Sequence, residues 1–107
     1  MRLIVARCEV RYSGRLTAVL PQALRLLMIK ADGSFMVHAD SGGYKPSNWM
    51  TAPTVIEEEG APLTRIVVRK RAGATEDRLE IDIADIVSDV CHDMGEAAAL
   101  EKDGVER

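Results

Sequence analysis

Turn-forming residues interrupt this chain at intervals of about 8–12 residues, and that spacing constrains the fold more than any other feature. Ser13-Gly14, Asp32-Gly33, Gly42-Gly43, Gly60-Ala61-Pro62 and Ala72-Gly73-Ala74 leave segments with a two-residue period between them. In Arg2 to Arg11, Ile4, Ala6, Cys8 and Val10 share one side; in Arg78 to Val90, Leu79, Ile81 and Ile83 oppose Glu80 and Asp82. Leu24–Lys30, Ser34–Ala39, Thr54–Glu58 and Leu63–Lys70 also read as strands. The Asp32-Gly33 pair supplies the positive φ of a tight hairpin. Pro21 makes Leu16–Ala23 read as an irregular stretch, and Arg71 to Asp77 reads as a flexible connection. The expectation is an all-β domain, a small antiparallel β-sandwich or half-open barrel of six to seven strands.

A chain of 107 residues, 47% hydrophobic and 29% charged, suits one globular domain. Residues 1–93 form that domain in this reading. From Gly95 onward the composition turns to alanine and charge, so 94–107 reads as a linker. No apolar run approaches the ~18–20 residues of a membrane span. The start, MRLIVARCEV, reads as a strand rather than a signal peptide, which points to the cytoplasm. Cys8 and Cys91 suggest neither a disulfide framework nor a zinc site and are expected as buried thiols.

The chain lacks G-x-S-x-G, H-E-x-x-H, a glycine-rich phosphate loop and EF-hand spacing. Its acidic series, Glu57-Glu58-Glu59 and then Glu80, Asp82, Asp85 and Asp89, fits a solvated sheet face better than a metal site. No catalytic residue, metal ligand or cofactor is expected within these 107 residues. The net charge of −3 hides an asymmetry: residues 1–52 hold seven basic and three acidic groups, residues 53–107 seven basic and fourteen acidic. The basic half points to an anionic partner.

Within that half, YKPSNWM, from Tyr44 to Met50, contains the single tryptophan. Trp49 reads either as a core anchor or as an exposed platform for a flat ligand. Its neighbours suit the second role: Lys45 neutralises phosphate, Asn48 offers a donor and an acceptor to a base edge, and Pro46 stiffens the approach. An indole stacks on a base for roughly 1–3 kcal/mol.

RYSGRLTAVLP, LLMIKADGSFMVHAD and YKPSNWM resemble the amino-terminal domain of the NucS/EndoMS mismatch-specific endonucleases, especially the actinobacterial branch. The likeness is close from Met1 to Met50 in order and spacing, and looser from Thr54 to Asp93. KDGVE also resembles the family's entry into a second domain. The resemblance implies a homodimeric amino-terminal domain that binds mismatched double-stranded DNA. It implies a carboxy-terminal RecB-like nuclease domain that holds the catalytic acids and lysine and requires Mg²⁺. Those G-x-V-D and E-x-K motifs have no match here, so this fragment is expected not to cut DNA. A sliding clamp is a further partner for the region beyond residue 107.

Residue by residue, the resemblance implies that Arg15 is the family's arginine at the DNA-binding site and Trp49 the tryptophan that packs against a flipped base. Asn48, Lys45 and Tyr44 stand beside it in the motif. The basic run Arg69, Lys70 and Arg71 is a weaker candidate for touching the DNA backbone. Gly42-Gly43 reads as turn chemistry. Two other readings stand beside this one: a generic single-stranded DNA-binding module, and a purely protein-interaction dimerisation domain.

Overall fold

A computed structural model describes residues 1–95, and residues 96–107 of the expected linker lie outside the described residues. Seven strands follow in order: β1 (Arg2–Ser13), β2 (Thr17–Ile29), β3 (Phe35–His38), β4 (Asn48–Met50), β5 (Val55–Glu59), β6 (Arg65–Ala72) and β7 (Thr75–Cys91). All pair antiparallel in one sheet of order β4-β3-β2-β1-β7-β6-β5. The described residues contain no helix. Of the two expected all-β forms, the half-open barrel is the one found.

Chain connectivity forces the curl. β4 and β5 are opposite edges of the sheet, yet only residues 51–54 join them. Seven strands spaced about 4.8 Å apart would put these edges about 29 Å apart if flat. The five Cα–Cα steps from Met50 to Val55 reach at most about 18 Å. The sheet therefore rolls its edges toward each other. Bulges in the central β1–β7 ladder help it bend: the register shifts between Val5 and Ala6 and again between Arg7 and Cys8.

Rolling encloses one side-chain layer. Ile4, Ala6, Cys8 and Val10 of β1 meet Leu27, Phe35, Val37 and Met50 on one flank and Ile66, Val68, Leu79, Ile81 and Ile83 on the other. This is the alternation expected from the sequence. The Asp32-Gly33 hairpin also forms as expected: Gly33 has φ of 97°, and the Ser34 N–H donates to Asp32 Oδ1 at 2.9 Å.

Three expectations are corrected. Thr17 to Ala23 is strand interrupted by a single bulge, in which Pro21 and Gln22 stand opposite Glu9 where the register jumps from Cys8↔Ala23 to Val10↔Leu20. β3 covers only Leu26 to Ile29 of β2, so Pro21 also lies along an open edge where its missing N–H breaks no ladder. Arg71 to Asp77 is a tight hairpin: Ala72 pairs with Thr75 around Gly73, whose φ is 66°. Cys8 is buried, but Cys91 is exposed, pairing with Arg2 at the end of β7.

The acidic strands are laced rather than merely solvated. Glu80 Oε2 accepts from Arg65 and Arg78, each at 2.9 Å, while Arg2 binds Asp89 and Glu58, each at 2.7 Å. The Arg78 hydrogen bond holds the Glu80 carboxyl below its ordinary range, and Arg2 does the same for Asp89. Arg2 of the basic half pairs with two acids of the other half, and Arg11, bound to Glu9 at 2.7 Å, also comes within 4.0 Å of Glu80, so folding interleaves part of the two halves' charge.

Phe35 is the single phenylalanine and is fully buried. Phe35→Ala is expected to lower the unfolding free energy by about 3–5 kcal/mol, read from the denaturant midpoint at unchanged slope. A loss below about 1 kcal/mol would mean that Phe35 does not anchor this core.

Candidate nucleic-acid interface

The three residues of β4 alternate in orientation. Met50 opposes Phe35 and is buried, whereas Trp49 opposes Met36 on the other face and is 57% exposed. Trp49 is therefore not a core anchor; Met50 takes that place.

Trp49 borders an open cleft of about 460 Å³ that also draws on Asn48, Arg15 from the β1–β2 turn and Lys70 from β6. Arg15, the neighbouring pair Asn48 and Trp49, and Lys70 come from three distant parts of the sequence. The curl unites them by bringing β4 and residue 51 beside β6 and β7. Lys70 Nζ donates to Thr51 Oγ1 at 2.7 Å across this seam. Asn48 Oδ1 accepts the Trp49 N–H at 2.9 Å. The Asn48 oxygen is thus held locally, and its amide N–H groups are left to face a ligand.

Two cleft residues escaped the sequence reading. Tyr12 lies at the end of β1 and Asp77 at the start of β7, and Tyr12 Oη donates to Asp77 Oδ1 at 2.7 Å. This bond raises the Tyr12 phenol pKa above its ordinary value, since ionisation would forfeit it beside a carboxylate; the Arg15 charge opposes the shift more weakly. Gly14 makes room: a Cβ there would lie 2.5 Å from both Asp77 Oδ1 and Tyr12 Oη. The Tyr-Ser-Gly-Arg order was visible, but the pairing with a residue 65 positions away was not.

The other candidates fall outside the cleft walls. Tyr44 is 88% exposed and Lys45 is also exposed, on the loop between β3 and β4. Gly42 and Gly43 there have φ of 102° and 106°, with open space where a Cβ would stand. Their need is conformational, as expected for turn chemistry. The Arg69-Lys70-Arg71 run is split by strand alternation. Arg69 turns away toward Glu57 at 3.2 Å and Glu76 at 3.6 Å, and Arg71 is exposed near the hairpin. Among the described residues Arg15, Lys45, Lys70 and Arg71 enter no ion pair, so their charge is available to an anion. No three His, Cys, Asp or Glu side chains converge as a metal site among the described residues.

Gly14→Ala is expected to part Tyr12 from Asp77. In a Tyr44→Phe background, alkaline absorbance titration should then show the Tyr12 phenol ionising at lower pH, nearer the ordinary value of about 10. An unchanged titration would show that the bond tolerates a side chain at position 14.

Comparisons with known proteins address the family and the fold. The family profile described as the endonuclease NucS N-terminal PH-like domain matches residues 1–99. Endonuclease NucS of Micrococcus luteus is 49% identical over 99% of this chain and 48% of its own length. That of a Parafrankia species is 50% identical over 99% and 46%. The chain thus spans about half the length of these curated relatives. A repair endonuclease of known structure from Pyrococcus abyssi superposes with a TM-score of 0.75 at 29% identity, covering 90% of this chain and 41% of that one. The EndoMS chain of a complex with double-stranded DNA gives 0.69 at 27% identity, covering 92% and 41%. The chain belongs to the NucS amino-terminal PH-like domain family.

Proposed function

We propose that this chain is the DNA-binding and dimerisation domain of a cytoplasmic mismatch-specific endonuclease of DNA repair, and that its cleft holds a base extruded from a mismatch. The observation that carries this reading is the convergence of Arg15, the adjacent pair Asn48 and Trp49, and Lys70, side chains from three separate parts of the sequence. Trp49 offers a stacking face, Asn48 offers donors to a base edge, and Arg15 and Lys70 offer charge to the flanking phosphates. Extrusion favours mismatches, because an ill-paired base costs less to unstack than a paired one. The EndoMS structure bound to double-stranded DNA, alike over most of this chain, supports a duplex ligand. Cleavage belongs to a second, Mg²⁺-dependent domain in this reading; the donors described here do not fit that metal.

Dimerisation has its own support. On the outer face, Met36, Met28, Leu3 and Val90 are successive cross-strand partners, forming an apolar row across four strands beside Trp49. Its members are only partly buried, and Val90 is exposed. An apolar row of this length on an open sheet face suits a second copy, in which each row covers the other. Met28→Glu is expected to halve the mass seen by light scattering while leaving the fold intact. A parent chain that is monomeric at micromolar concentration would refute this arrangement.

The DNA reading is tested by comparing affinity for mismatched duplex, matched duplex and single strand at one fixed salt concentration. The parent should prefer the mismatched duplex. Trp49→Ala should lose about 1–3 kcal/mol there, roughly tenfold to hundredfold. A folded Trp49→Ala protein that bound the mismatch as tightly as the parent would overturn the reading, and highest affinity for single strand would favour the generic single-strand module.

A further inference from the structure

A carboxylate stands in a cleft otherwise suited to a polyanion, and the cations around it do not account for it. Lys70 is the direct cross-strand partner of Asp77, yet its ammonium donates to Thr51 instead, and Arg15 enters no ion pair among the described residues. A negative charge at this point repels phosphate, and the one neutral donor it has, Tyr12, engages a single one of its two oxygens.

Asp77 is also held firmly in orientation. Tyr12 Oη donates to Oδ1 at 2.7 Å, and Gly14 leaves space for that contact and nothing larger. Oδ2 accepts no hydrogen bond among the described residues. On the opposite wall Asn48 Oδ1 is held by the Trp49 N–H, so Asn48 meets a ligand mainly through its donors. Arg15 and Lys70 carry donors only. The edge of a nucleobase presents acceptors together with N–H groups, and an N–H left unpaired in a site costs affinity.

We infer that Asp77 is a specificity-determining residue: its carboxylate accepts an N–H from the edge of the base stacked on Trp49, while Asn48 donates to that base's acceptors. Tyr12 and Gly14 are positioning residues, acting through Asp77. The inference rests on the proposed base-binding role of the cleft and adds the recognition chemistry. The same carboxylate turns the sugar-phosphate backbone away, so that the base rather than a phosphate enters.

The test compares two duplexes that differ at the mispaired position, one with thymine and one with its nonpolar isostere difluorotoluene, which keeps the shape but lacks both the N–H and the carbonyl acceptors, so that the loss caused by changing Asp77, rather than the parent's preference, reports on the N–H. The 107-residue chain should bind the thymine duplex more tightly. Asp77→Ala should weaken thymine binding about tenfold and isostere binding less than twofold. Asp77→Asn keeps the size and an oxygen for Tyr12, and serves as the second variant should alanine unfold the site; it too should narrow the preference. Tyr12→Phe should narrow it partly. Equal losses on both duplexes would overturn the inference and reduce Asp77 to a structural role. Equal gains would show simple repulsion of DNA. A Trp49→Ala chain that still bound both duplexes like the parent would instead show that the cleft is not the base site, a different failure.

Discussion

The short link from β4 to β5 governs this structure. Because residues 51–54 tie together the two edges of a seven-stranded sheet, the sheet has to roll. Rolling closes the core around Phe35, Leu27 and the inward faces of β1 and β7. It also makes the cleft, which lies where β4 and the link come alongside β6 and β7. Core and site are thus two consequences of one geometric limit. The Lys70 to Thr51 hydrogen bond spans the seam between them, so a residue at the site also helps hold the edges near each other.

Electrostatics follows the same geometry. Placing β1 in the middle of the sheet sets Arg2 among the acids of β5 and β7 and brings Arg11, bound to Glu9, near Glu80. The arginine stems of β6 also lie across the sheet surface, and Val67 is buried on that side although it points away from the main core. Exposed pairs of this kind each contribute at most about 1 kcal/mol. They also consume some cations and leave others, Arg15 and Lys70 at the cleft among them, without an ion pair among the described residues.

Much of the fold was legible because strand faces and turns are local properties. The inward series of β1 and β7 and the Asp32-Gly33 hairpin followed from two-residue alternation and glycine geometry. Pro21 misled because a proline is disruptive only where its missing N–H has a partner to lose, and the bulge and open edge that spare it are features of pairing. The 71–77 segment misled likewise, since a two-residue hairpin resembles a flexible loop until its flanking strands are seen to pair.

The site divides along the same line. By itself the sequence determined that Trp49 sits among residues suited to a nucleobase and, through GRL, ADGSFMVHAD and YKPSNWM, which family the chain resembles. Through the same resemblance it pointed to Arg15, and it offered Lys70 only within the weaker run Arg69-Lys70-Arg71. Only the tertiary structure decided that Trp49 faces outward while Met50 anchors the core, that Lys70 enters the cleft while Arg69 turns away, and that Tyr12 reaches Asp77 over Gly14. The physical reason is range. Side-chain alternation and turn chemistry act over two to four residues, whereas the cleft depends on edges brought together by the roll of a whole sheet.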